Sequence, residues 1–181
     1  MKVEIDLEKI KLIGEQKEDE NWKFRSYLKG LDIEEEDLDK IVHSINDDVT
    51  SQIDCTKCAN CCKVFDPVLD EEDVIKLSSS LNLDKDEFKK VYLFESEEEK
   101  DCYNFNKVPC PFLKDNKCSV YENRPKVCES YPHLHKEEFW TRLIEVIQNY
   151  SICPIVFNVY EQLKKELWRK DRRTRLVSRQ P

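Results

Sequence analysis

The apolar positions of this chain form a succession of short helical stripes, interrupted by one long stretch with no period. From Glu18 to Lys29, Trp22, Phe24, Tyr27 and Leu28 approximate one helical face, and Gly30 follows where a C-terminal cap belongs. Leu38, Ile41, Val42, Ile45 and Val49 recur at intervals of three and four. They predict an amphipathic helix from Glu34 to Ile53, its start favoured by the acidic run Glu34, Glu35 and Glu36. Asp70-Glu-Glu-Asp73 offers an acceptor side chain and negative charge to another helix start, with Val74, Leu77 and Leu81 on its buried side. A shorter helix opens at Asp84 and carries Phe88, Val91, Tyr92 and Phe94 inward. The acidic run from Glu95 to Asp101 ends it as a solvated loop.

Two longer stripes close the chain. Phe139, Trp140, Leu143, Ile144 and Ile147 face inward from a helix over Glu137 to Asn149. Val156, Tyr160, Leu163 and Leu167 do so from Pro154 to Lys170, and Pro154 suits a first helical position, which sets Cys153 at the helix entrance. Val3 to Ile13 stays open between strand and short helix. Residues 102 to 135 are aperiodic, and Pro109, Pro111, Pro125 and Pro132 forbid a long helix there. One short hairpin fits around Lys114-Asp-Asn-Lys117, and Pro125 fits the first turn of a short helix carrying Cys128. The expected fold is mostly α: a small irregular helical domain with a cysteine-rich, metal-stabilised core. Its expected organisation is an N-terminal helical segment over 1–54, a cysteine-cluster domain over 55–170 packed with it as one unit, and a basic tail over 171–181.

Composition narrows the chemistry. Only Gly14 and Gly30 are glycines, so neither a dinucleotide-binding fingerprint nor a phosphate-cradling loop can be assembled. The N-terminus carries charges where a signal peptide needs an apolar run, and no apolar run approaches bilayer length; a cytoplasmic location without membrane insertion is expected. In that compartment the nine cysteines are expected to be reduced, and an odd number cannot all pair. The tail from Lys164 onward holds eight Lys or Arg against Glu166 and Asp171, about +6 in a chain of net charge −8. Such a tail suits an acidic protein or a nucleic acid, or is simply a solvated terminus.

Cys55-Thr-Lys-Cys58-Ala-Asn-Cys61-Cys62 places four thiols within eight residues. Thiols crowded this closely are read as converging on metal rather than as a set of disulfides. Zinc uses pairs spaced as Cys55 and Cys58 are, completed by one later pair. A 4Fe-4S cluster accepts three cysteines at successive two-residue spacing plus a remote one, frequently before proline. Cys55, Cys58 and Cys61 have that spacing, and both Cys110 and Cys153 precede proline. The spacing leans toward iron–sulfur without deciding against zinc. Lys57 and Lys63, and then Lys107, Lys114, Lys117, Arg124 and Lys126, make these segments locally positive, which suits thiolate ligation. His43 beside an apolar stripe reads as a core or boundary residue rather than a ligand.

The succession Cys-x2-Cys-x2-Cys-Cys, Asp-Glu-Glu-Asp, Cys-Pro-Phe-Leu, Cys-Ser-Val-Tyr-Glu-Asn-Arg-Pro and Cys-Glu-Ser-Tyr-Pro resembles the CxxCxxCC family of zinc- or iron-chelating cysteine-cluster proteins. The resemblance implies that Cys55, Cys58, Cys61, Cys62, Cys110, Cys118, Cys128 and Cys153 are metal cysteines, and it leaves Cys102 out. The implied function is a metal-binding or redox module holding Zn2+ or an iron–sulfur cluster. The family also resembles the longer flagellin lysine N-methylases, which implies an alternative, iron–sulfur-dependent methyl transfer from S-adenosylmethionine to protein lysines. Adjacent side chains such as those of Cys61 and Cys62 diverge in most backbone conformations. The expected sharing is therefore Cys55, Cys58, Cys61 and Cys153 at one centre, with Cys110 as the alternative remote ligand, and Cys62, Cys110, Cys118 and Cys128 at the other. Arg124 is expected to serve structurally, donating to loop carbonyls or to metal-bound sulfur.

Overall fold

A computed structural model describes residues 2–97 and 99–169. In chain order it holds α1 (Leu7–Gln16), α2 (Glu18–Lys29), α3 (Glu35–Thr50), α4 (Cys55–Cys58) and α5 (Asn60–Val64), then strand β1 (Val68–Leu69). Next come α6 (Glu71–Ser80), α7 (Lys85–Tyr92), β2 (Leu93–Glu95), β3 (Tyr103–Phe105), β4 (Leu113–Lys114) and β5 (Lys117–Cys118). The chain continues with α8 (Lys126–Ser130), α9 (Leu143–Tyr150) and α10 (Pro154–Leu163), and a π-helical stretch Lys164–Arg169 ends the described part. The fold is mostly α with short strands, and it divides into a helical unit, 1–53 with 132–181, and a cysteine unit, 54–131. No described helix is long and apolar enough to cross a membrane.

In the helical unit the central element is α10, whose residues Pro154 to Tyr160 are all buried. A helix apolar on every side belongs inside, and α10 packs against α1, α3 and α9. The stripe on α3 performs as its period predicts, burying Leu38, Val42, Ile45 and Val49. On α2, Phe24 and Leu28 are buried while Trp22 is exposed. The undecided first stretch is helical, started by Asp6, whose side chain accepts from the Lys9 N–H. Gly14 on α1 permits a close approach, because a Cβ there would stand 2.7 Å from the Ser151 Cβ.

The helix expected from Glu137 starts later. Glu138 has φ 58°, a 3-10 turn occupies Phe139–Arg142, and α9 begins only at Leu143. The cause lies far off in sequence: the buried Asp39 carboxylate accepts from the N–H groups of Glu138 (2.7 Å) and Phe139 (3.0 Å). His43 is a structural residue, its Nε2 3.2 Å from the Lys136 carbonyl oxygen.

Lys164, counted with the basic tail in the sequence, is only 2 % exposed. Its ammonium donates to Glu20 (2.8 Å), Asn21 (2.5 Å) and Glu161 (2.8 Å), which uses all three of its protons. Glu161 also accepts from Tyr150 (2.8 Å) and Lys17 (2.5 Å). Burial raises the Glu161 pKa, but the hydrogen bonds from Lys164 and Lys17 outweigh it and hold the carboxyl at about 2. The remaining tail, 170–181, lies outside the described residues.

The cysteine unit has a small core of its own, Leu69, Val74, Leu77, Phe88, Leu93, Phe105, Phe112 and Val120. The antiparallel sheet β1-β3-β2 and the hairpin β4-β5 were invisible or barely visible to periodicity, since strands of two or three residues carry no period. The hairpin is where the sequence expects it, and Asp115 (φ 49°) and Asn116 (φ 59°) take the left-handed conformations a two-residue turn needs. Val91 and Phe94, expected inward, are about half exposed because α7 gives way to a strand at Leu93.

Candidate metal centre

The first cysteine segment is two short helices rather than one. Asp54 caps α4, accepting from the Thr56 N–H (3.0 Å) and hydroxyl (2.6 Å). Ala59 then breaks the helix with φ 50°, a left-handed conformation costing a residue with a Cβ about 1 kcal/mol. The break separates Cys55 and Cys58 on α4 from Cys61 and Cys62 on α5.

Three further segments meet α5. The Cys62 carbonyl accepts from the Cys110 N–H at 2.8 Å, which ties the Pro109-Cys110-Pro111 segment to the cluster through the backbone. Cys110 and Cys118 both pack against the small apolar core, the latter from β5. Cys128 is carried by α8, whose start is anchored to the N-terminus of α6. Asp73 accepts from the Lys126 N–H (2.9 Å), and the Lys126 ammonium donates to Asp70 (2.8 Å) and Glu72. The expected acceptor side chain at Asp70 thus forms a capping box with Asp73 and serves a second helix as well. Phe65 and Tyr131, ring centroids 5.5 Å apart, link the ends of α5 and α8.

None of the nine cysteines is in a disulfide. Burial, then the proximity of Cys110, Cys62 and Cys118, pushes Cys128 up to about 12. Burial raises Cys110 to about 11, with Cys62 and Cys118 adding to it. Cys118 is raised by burial and by Cys62, and Arg124 partly offsets this. Cys62 moves the other way, to about 7, because it accepts a hydrogen bond from Cys61 and lies near Arg124 and Lys63. Cys62, Cys110, Cys118 and Cys128 therefore form one electrostatic neighbourhood. Cys55 is raised by burial and feels Cys58 and Asp54.

Cys102 faces different company: its thiol is 3.7 Å from Glu99, and desolvation, then Glu99, raises its pKa. Cys153 lies in the helical unit, buried at the N-terminus of α10 with Pro154 in the first turn, as the sequence suggests. Among the described residues, no three His, Cys, Asp or Glu side chains are already gathered to hold an ion.

Arg124 is the cation of this neighbourhood. Its guanidinium carbon lies 3.7 Å from the Tyr121 ring centroid, and its carbonyl accepts from Lys76 at 3.3 Å. Its influence reaches Cys55, Cys62 and Cys118, lowering each. The Arg124 Nε–H is buried without a hydrogen-bond partner. Soft thiols from four segments beside an orphaned cationic donor fit a thiolate-bound metal, whose negative sulfur would satisfy that donor. The sequence pointed to Arg124 by its place among the cysteines; the aromatic partner Tyr121 and the anchoring pair Asp73 and Lys126 carried no such signal.

A family model described as “CxxCxxCC: Putative zinc- or iron-chelating domain” matches residues 54–153. No curated protein and no solved structure gives a match.

Proposed function

The chain belongs to the CxxCxxCC family, and from that premise we propose that it binds zinc or iron through cysteine thiolates, with Cys62, Cys110, Cys118 and Cys128 as one ligand set. The observation that carries this is the mutual electrostatic influence of those four thiols around Cys62. They come from α5, the Pro109–Pro111 segment, β5 and α8, so one ion would hold four otherwise irregular segments together. We propose Cys55, Cys58 and Cys61 as the second set. Cys55 and Cys58 stand on α4, and Cys61 stands on α5 beside Cys62, the two thiols sharing a hydrogen bond, so Cys61 is where the two sets meet. Cys102, set among acids, takes no part.

When bound, the metal supplies a permanent positive charge that keeps its sulfurs ionised. The residues around it supply the rest: Arg124 offsets the excess negative charge of four thiolates and donates its Nε–H to sulfur, while Asp73 and Lys126 fix the approach of Cys128. Cys110 and Cys128 are protonated at neutral pH, so loading releases protons and tightens as pH rises.

The test is metal analysis and absorption spectroscopy of protein purified without oxygen. Zinc gives a colourless protein, and an iron–sulfur cluster gives broad absorbance near about 400 nm. Four to eight thiols should become unreactive to alkylation on loading, with Cys102 staying reactive. Purified protein that retains neither metal, or whose eight thiols all stay reactive, would overturn the proposal.

A further inference from the structure

The helical unit contains a cleft of about 520 Å³, a volume typical of small-molecule sites. It is lined only by residues from the N-terminal segment, α1, α10 and the start of the π-helical stretch, all outside the matched stretch 54–153. One wall is pinned by Asn158. Its Oδ1 accepts from the Glu4 N–H (2.9 Å), and its amide donates to the Glu4 carbonyl (2.7 Å) and the Pro154 carbonyl (2.7 Å). A buried asparagine with every group engaged makes this a fixed wall.

The polar capacity left over in the cleft is one-sided. Every oxygen of the two lining carboxylates already has a donor: Glu161 accepts from Lys17, Tyr150 and Lys164, and Glu4 accepts from Lys9 and the N–H groups of Ile5 and Asp6. The donors are not. Lys2 and Lys165 are exposed and have no carboxylate partner among the described residues, and Lys17 has protons to spare. Four lysine ammonium groups against two carboxylates leave the cleft at +2 within a chain of net charge −8. Val3, Ile13 and Phe157 supply apolar lining between these charges.

We propose that this cleft binds a small organic anion, a carboxylate or phosphate head group on a short apolar body. The head takes the lysine donors that no internal acceptor uses, and the body lies against Val3, Ile13 and Phe157. A cation is disfavoured there, because the lining is net positive and every carboxylate oxygen already accepts from a donor. The inference is independent of the metal reading.

Isothermal titration calorimetry on the full-length, reduced, metal-loaded protein tests it with four probes: octanoate, hexyl phosphate, inorganic phosphate and hexylamine. Saturable binding of octanoate or hexyl phosphate is expected, weakening as salt rises, with none for hexylamine. Preference between the first two identifies the head group. The double variant Lys2→Glu with Lys165→Glu, two exposed positions outside the core, should bind at least about tenfold more weakly with an unchanged circular dichroism spectrum. Absence of saturable binding, equal binding of hexylamine, equal binding of inorganic and hexyl phosphate, or an unaffected double variant would each overturn the proposal. Metal content, measured on the same samples, reports separately on the thiol site.

Discussion

The ion cluster of the helical unit and the thiol cluster of the cysteine unit are completed in opposite ways. Lys164 is buried with three acceptors and Glu161 with three donors, so that ion cluster is satisfied by its own side chains, while Arg25 Nε, Asn46 Oδ1 and Trp140 Nε1 elsewhere in the helical unit are buried without a partner. In the cysteine unit, thiols with raised pKa values and an orphaned Arg124 Nε–H sit beside a core cluster of eight buried apolar residues among those described. On the proposed metal reading, the contrast separates a cluster satisfied by its own side chains from one that a bound metal would complete. Buried polar groups are tolerated when partnered, and soft thiols gathered beside an unpartnered guanidinium point to the group that would partner them.

That contrast is broken most directly by taking the metal away. Chelation under reducing conditions should abolish the unfolding transition of the cysteine unit, because structural thiolate sites supply on the order of 10 kcal/mol of folding free energy. The transition of the helical unit should persist in the same calorimetric scan. Two transitions unchanged by chelation would remove metal from the stability of either unit.

The second effect belongs to the helical unit. Lys164→Met strands the Glu161 carboxylate against Tyr150 and Lys17 and should cost about 3–5 kcal/mol by denaturant titration, with metal content unaffected. Next in size, Arg124→Lys keeps the charge but removes the Nε donor and the flat stack on Tyr121. Metal affinity, measured by chelator competition, should fall about tenfold or more while the melting of the helical unit stays put.

The smallest effect is a pH dependence in the helical unit. Burial, with Lys136, His135 and Arg142 nearby, lowers the His133 pKa to about 4, and Glu145 at 3.8 Å does not compensate. The folded state therefore binds fewer protons than the unfolded state between pH 6.5 and about 4. The stability is fully present above 6.5 and is lost as pH falls through that window, by about 1–2 kcal/mol after allowing for solvent screening. His133→Gln should flatten this part of a stability–pH curve.

Periodicity exposed the helices that bury one stripe: α2 was legible from end to end, α3 to within three residues at its C-terminus, and α6 and α7 at their starts. It could not expose structure imposed from a distance. The late start of α9 depends on Asp39, about a hundred positions earlier, and the three-stranded sheet depends on pairings between strands too short to alternate. Lys164 was misread as part of a solvated basic tail because a lysine's burial depends on Glu20, Asn21 and Glu161 meeting it in space. Spacing identified the cysteines as a class, since thiols this close have few other uses. Which thiol neighbours which required the fold. Cys62, Cys110, Cys118 and Cys128 act on one another electrostatically, Cys62 also accepts a hydrogen bond from adjacent Cys61, and Cys153 stands in the other unit.

The order of residues along the chain has a consequence for synthesis. The cysteine unit, 54–131, interrupts the helical unit, whose central helix α10 is made after it. At about 5–20 residues per second, the cysteine segments leave the ribosome seconds before Pro154 to Leu163 exist to fill the core of the helical unit. A nascent chain paused before α10 would hold every thiol from Cys55 to Cys128 while α1, α2 and α3 still lacked the helix they pack around. On the proposed metal reading, the thiols that would take a ligand from outside are thus offered to their surroundings before the helical unit can close around α10.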